Sequence, residues 1–181
     1  MFAACDSRTN KGARDASLLA LAYGGGLRRS EIVGLDLGSY DPSTGALTII
    51  GKGNKQRVVY MTNGSADALE AWLARRGNEP GPLLFSVNKA DVVERRRLSP
   101  DAVLVVVRKL AQLGGVAKFS PHDCRRTMAS DALDAGIDVV VLQAILGHAS
   151  VTTTAKYDRR GDRAKRRAAE LLHVPYAIQP K

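Results

Sequence analysis

"SPHDCRRTMASDALDAG", Ser120 to Gly136, is written in helix grammar from end to end. Ser120 is an N-cap, Pro121 occupies the first helical position where its missing N–H costs nothing, and Gly136 is a stop. Between them Cys124, Met128, Ala132 and Ala135 are spaced four, four and three, which predicts one core face. The stretch also carries chemistry. His122 and Arg125 stand three apart at the helix start and share a face. A first helical turn offers backbone N–H groups and the positive end of the dipole, so this pair suits a phosphate or another oxyanion. A capping histidine beside a solvated arginine fits the same letters.

The grammar repeats on both sides. "SPDAVLVVVRKLAQLGG" runs from a Ser99–Pro100 start to the glycines at 114 and 115, and "DVVVLQAILG" is capped by Asp138 and ended by Gly147. "RAKRRAAELLHV" reads as a basic amphipathic helix with Ala169, Leu171 and Leu172 on its apolar side. Upstream, Ala16, Leu19, Ala20 and Tyr23 recur at helical spacing from Lys11 to Tyr23, and Gly24, Gly25 and Gly26 stop that helix. A short helix follows from about Arg29 to Leu35, and Ala66 to Arg76 places Leu69, Trp72 and Leu73 on one face. Two β-rich runs, Leu47–Ile50 and Arg57–Met61, flank a Gly/Asn/Lys turn and predict a small antiparallel sheet. The expected fold is mainly α with that small antiparallel β-sheet (α+β), in a single domain of 181 residues.

Composition narrows the function. Apolar residues make up 45% and charged residues 25%, as in ordinary globular proteins, and no segment approaches the ~20 apolar residues that span a bilayer. The N-terminus lacks the pattern of a signal peptide. Cys5 and Cys124 provide neither a disulfide framework nor a zinc-knuckle spacing, which fits a cytoplasmic setting. Lysine and arginine total 27 against 18 acidic residues, a formal charge of +9, and this points to a polyanion, nucleic acid first. With only 5% aromatic residues, contact with a duplex backbone is a better match than stacking on single strands.

Further candidates lie outside the opening helix. In "GGGLRRSE" a glycine run leads into a helix start bearing Arg28, Arg29 and Glu31, with Glu31 spaced to hold the Arg28 guanidinium. "GKGNK" fails as a phosphate loop, since no Ser or Thr follows Lys52, and reads as a basic hairpin turn. "LGHASVTTTAKYD", Leu146 to Asp158, sets His148 and Tyr157 nine apart in polar sequence. There Gly147 ends a helix, and Ser150 can cap the short turn that carries Tyr157. The histidines 122, 148 and 173 share no short ligand spacing, so no metal site is expected, and no nucleophile-elbow sequence is present. The inventory of cations, histidines and one tyrosine hydroxyl suits phosphoryl transfer without metal.

"GLRRSE", "GKGNKQR", "HDCRR" and "LGHASVTTTAKY" occur in the order of the signature boxes of the tyrosine recombinases, the phage-integrase family, which the chain resembles from about Arg14 to Arg160. The resemblance implies a catalytic-domain fold of that family and assigns residues by position. Arg28 aligns with the first catalytic arginine, Lys52 with the hairpin lysine, His122 and Arg125 with the H-x-x-R pair, His148 with the histidine-or-tryptophan position and Tyr157 with the nucleophile. Glu31 resembles the acidic residue that accompanies the first arginine. The implied activity is site-specific recombination or integration of double-stranded DNA through a 3′-phosphotyrosyl intermediate, without cofactor, metal or ATP. A DNA-binding module without turnover and a type IB topoisomerase-like relaxase are the alternatives. A homo-tetramer on paired sites is implied, with a monomer compatible with the DNA-free state, and the tail at 160–181 is expected to dock on a neighbour through Tyr176 and Ile178.

Two departures stand out. Cys124 replaces the aliphatic residue usual between the paired histidine and arginine. Only about ten residues precede the first helix, so the family's N-terminal domain is expected to be absent, leaving a catalytic domain across 1–181 with weakened DNA binding.

Overall fold

The computed structural model of the chain describes residues 1–158, 161–171 and 175, and describes the backbone only at Lys52, Arg163, Ala164 and Arg167. Leu172, His173, Tyr176 and Ile178 lie outside the described residues.

Helix α1, Asn10–Leu19, starts where the Thr9 side chain accepts from the Gly12 amide, and it runs into a π-helical turn over Ala20–Gly24. Single π turns cluster at functional sites because they redirect the chain that follows. Here the redirected segment delivers Gly26 in the left-handed region, φ 61°, then α2 over Arg29–Gly34. Tyr23, expected on the core face, is exposed because its hydroxyl reaches outward to donate to Asp131 Oδ2 at 2.7 Å.

The sheet has three strands, β1 (Tyr40–Asp41), β2 (Ala46–Ile50) and β3 (Gln56–Tyr60), all antiparallel in sequence order. The turn between β2 and β3, Lys52–Asn54, keeps Gly53 and Asn54 at positive φ, as the Gly/Asn composition requires. Helix α3, Gly64–Arg76, buries Leu69 and Trp72. A second hairpin that the hydrophobic pattern does not announce follows, β4 (Phe85–Val87) with β5 (Val93–Arg97). Its second strand is "VERRR". Arg97 holds it down by donating to the carbonyls of Val33 and Leu35, at the end of α2, and to Asp36.

The second half is helical. It comprises α4 (Pro100–Leu113, capped by Ser99), α5 (Pro121–Asp134, capped by Ser120), α6 (Val139–Leu146, capped by Asp138), α7 (Val151–Ala155, capped by Ser150) and α8 (Gly161–Leu171). The main core draws Leu18, Leu21, Ile32, Ile49, Trp72 and Val107 from α1 through α4. A smaller cluster of Ala129, Ala132, Leu133, Leu142 and Leu146 joins α5 to α6. On α5 Cys124 and Ala132 are buried as spaced, but Ala135 is exposed because the helix has ended, and Ala129 and Leu133 complete the face. Leu171 on α8 is 79% exposed, so the apolar side of that helix is not covered at this position.

Candidate active site

Arg125 is 1% exposed, an unusual state for a guanidinium, and the cause is local. Its Nη1 donates to the Gly26 carbonyl and its Nη2 to the Leu146 carbonyl. Gly26 can come that close because it lacks a Cβ, which would lie 3.1 Å from a Leu146 methyl at a φ that L side chains resist. Burial first, then the neighbouring charge of Arg28, draws the Arg125 pKa down to about 10, so it stays protonated at neutral pH. Each Nη carries a second hydrogen, so the fork can still serve a ligand.

That ligand's space is next to it. Arg28, Arg29, Ser30, Ser120, His122 and Arg125 line a cavity of about 380 Å³. Of these, His122 is exposed and Arg125 is buried. The amides of Asp123 and Cys124 are already satisfied by Ser120, so the cavity offers side chains more than open helix amides. Cys124 faces the core, where burial pushes its thiol up to about 12.

Arg28 is 43% exposed and is oriented from behind by Glu31. Its backbone N–H donates to Glu31 Oε2 at 2.8 Å and its Nη1 to Oε1 at 2.9 Å. Burial works to raise the Glu31 carboxyl, but hydrogen bonds from Arg57 and from the Arg28 amide outweigh it and hold the pKa at about 2. Arg57 is a residue that sequence reasoning passed over. It chelates both Glu31 oxygens, Nη1 to Oε1 at 2.9 Å and Nη2 to Oε2 at 2.8 Å.

Beyond α6, Gly147 adopts φ 61° and the chain turns to present His148. The His148 Nδ1 lies 2.9 Å from the Thr154 hydroxyl, which is itself buried. Burial, then the positive charges of Arg125, Arg28 and Arg57, push the imidazole down to about 4, so it is neutral at physiological pH. The Tyr157 ring sits with its centroid 6.0 Å from that of His148. Contrary to the isolation suggested by its sequence neighbours, the ring is half-buried against the α5–α6 cluster, and its carbonyl accepts from Ser130 Oγ at 3.4 Å. Lys52 lies in the β2–β3 turn; its side chain is outside the described atoms.

The phage integrase family model matches residues 1–163. The chain belongs to the phage integrase family. Among its family relatives, tyrosine recombinase XerD of Neisseria meningitidis serogroup B is 37% identical over 161 residues, 87% of this chain and 54% of that one. Tyrosine recombinase XerC of Myxococcus xanthus is 39% identical over 163 residues, 84% of this chain and 52% of that one. The chain thus spans about half the length of the curated relatives it matches. The integrase fold is shared with the crystal structure of XerA recombinase, at TM-score 0.73 and 27% identity over 91% of this chain and 60% of that one. It is shared too with XerH recombinase bound to its difH substrate, at TM-score 0.67 and 23% identity over 90% and 48%. No described helix is long and apolar enough to cross a membrane.

Proposed function

We propose that the chain is the catalytic domain of a site-specific DNA recombinase that cuts and rejoins strands through Tyr157. One observation supports this reading: Arg28, His122 and Arg125 line one cavity, while the His148 ring, 6.0 Å by centroid from that of Tyr157, lies within reach of the charges of Arg125 and Arg28. The cavity thus gathers two planar cation forks and one imidazole, with a second imidazole and a phenol paired nearby. XerC and XerD, at 37–39% identity, are tyrosine recombinases, and the XerH structure of the same fold holds DNA.

In this scheme the Tyr157 oxygen attacks the scissile phosphorus, a Tyr–O–P bond forms, and the P–O5′ bond breaks. His122 receives or orients the phenolic proton, and Lys52 gives a proton to the departing 5′-oxygen. Arg28 and Arg125 each present paired N–H donors to the nonbridging oxygens, whose charge rises in the transition state. His148 adds one more donor. The scheme requires the Thr154 hydroxyl to donate to Nδ1, which leaves the single proton of the neutral ring on Nε2 to face the phosphate. The 5′-hydroxyl of a partner strand reverses the attack, so bond energy is conserved in the phosphotyrosyl link and no nucleotide is consumed. Glu31 supports by fixing Arg28. Double-stranded DNA is the substrate, a homo-tetramer on paired sites is the working assembly, and the compartment is the cytoplasm.

The test is a nicked duplex library with randomised arms, incubated with the protein and resolved on denaturing gels. A covalent adduct that disappears in Tyr157→Phe supports the proposal. A mobility shift without adduct would reduce the chain to a DNA-binding module, and plasmid relaxation without strand exchange would make it a topoisomerase-like enzyme.

A further inference from the structure

Arg57 occupies a position where an apolar side chain is the default. It pairs with Ile49 across the β2–β3 ladder, on the face that buries Ile49, Leu47 and Val59, and its side chain is only 12% exposed. Burying a charge there carries a desolvation cost that an ion pair often only offsets, so stability alone is a weak reason for an arginine. All three of its nitrogens are engaged. Nη1 and Nη2 chelate Glu31 at 2.9 and 2.8 Å, and Nε donates to the Ile145 carbonyl at 2.9 Å.

Each partner leads to a different part of the site. Glu31 uses the same two oxygens to hold the Arg28 amide and guanidinium, so the angle of that carboxylate sets the angle of Arg28. Ile145 is in the last turn of α6, where carbonyls have no partner within the helix and the dipole is negative. Arg57 takes the Ile145 carbonyl and Arg125 takes the Leu146 carbonyl, so two guanidiniums fasten one helix end. The aliphatic stem of Arg57 also lies against Gly147, where a Cβ would fall 3.0 Å from Arg57 Cδ. His148 is the next residue.

Resting on the recombinase reading above, we propose that Arg57 is a positioning residue for strand cleavage. It locks the Arg28 fork, through Glu31, to the α6 terminus that launches His148 and Tyr157. It does not touch the phosphate. Its work is to keep elements from three distant parts of the chain in one register.

The test uses Arg57→Met, which keeps the volume, and Arg57→Lys, which keeps the charge but cannot span both carboxylate oxygens and a carbonyl. In single-turnover reactions on a nicked duplex recovered from the library, Arg57→Met is expected to form the Tyr157 adduct about 10²-fold more slowly, the scale of an ångström-sized misplacement. Arg57→Lys should lose at least about tenfold. DNA half-saturation should stay within about threefold, because a positioning defect leaves binding intact. Hydrogen exchange gives a readout independent of catalysis: peptides covering 143–157 should exchange at least about tenfold faster in both variants, while those covering α1 and α3 stay unchanged. A folded Arg57→Met protein with the parent's adduct rate, or with parental exchange at 143–157, overturns the proposal. Absence of any adduct from the parent sinks the recombinase reading instead, and the exchange data still decide whether Arg57 fastens the two elements.

Discussion

Replacing Glu31 by glutamine isolates the charge at the centre of the site, because the side chain keeps its size and one carbonyl acceptor. The carboxylate receives four hydrogen bonds, two from Arg57 and two from Arg28, and its side chain is 5% exposed. Its pKa falls from the ordinary 4.5 to about 2. A carboxyl depressed by folding contributes stability that is complete above its unfolded value and drains away as pH falls toward the folded one. The window is therefore pH 4.5 down to 2. At roughly 1.4 kcal/mol per pH unit, the contribution at neutral pH is on the order of 3 kcal/mol. That agrees with the 3–5 kcal/mol typical of breaking a buried ion pair by removing one partner. Urea denaturation of the parent and Glu31→Gln at pH 7, 5, 4 and 3 checks the value. The gap in unfolding free energy should be about 3 kcal/mol at pH 7 and 5 and roughly halved at pH 3, since glutamine does not titrate. A gap that stays constant across that range would refute the argument, because the stabilisation would then not depend on an ionised Glu31.

His148, with its pKa near 4, should show neutral-ring resonances in ¹⁵N NMR from pH 8 to 5, and a midpoint near 6.5 would contradict its burial among the arginines. Thr154→Val removes the hydroxyl at Nδ1, releases the tautomer and should slow adduct formation by about 10-fold or more, by analogy with the loss of other histidine-orienting partners; an unchanged rate would remove Thr154 from the mechanism. Gly147→Ala places a side chain at φ 61° and against Arg57, so a loss of about 1–2 kcal/mol is expected by thermal denaturation. Cys124, buried with its thiol near 12, should resist maleimide in the folded protein at pH 8, and rapid labelling there would show that the start of α5 opens.

Local signals made the helices legible. Ser120 with Pro121, Asp138, Ser150 and Gly147 each act within one turn of where they stand, and all mark the ends that the structure shows. The order and spacing of the boxes singled out Arg28, His122 and Arg125 as candidates, and the fold brings these three to one cavity. What escaped the sequence depends on distant partners. Arg57 reads as one more basic residue in a polar hairpin, because its partners are 26 and 88 positions away. Tyr157 looks isolated because the surface that receives its ring comes from α5 and α6 and not from its neighbours. The β4–β5 hairpin hides in a charged run whose hold on the fold is a guanidinium on helix-end carbonyls.

The excess of positive charge has a second meaning in the folded chain. A charge of +9 reads as a surface prepared for a polyanion, yet Arg14, Arg57, Arg76 and Arg125 are all withdrawn from solvent. Arg14 pairs with Asp15, and Arg76 gathers the carbonyls of Gly77, Glu79, Gly81 and Pro82 while its guanidinium lies 4.6 Å over the Phe85 ring. Arg57 and Arg125 grip the end of α6. Arginine suits this work because five donors in a rigid plane can satisfy several buried carbonyls at once and remain charged. At Arg125 the proposed chemical duty would share one side chain with a structural one: the hydrogens that hold Gly26 and Leu146 fix the direction of those left over. Loss of cleavage in Arg125→Ala therefore cannot be read as lost transition-state stabilisation alone. The same deletion frees two buried carbonyls and unfastens the segment that bears His148 and Tyr157, so the chemical share is measurable only against variants, such as Arg57→Met, that loosen that segment and leave Arg125 in place.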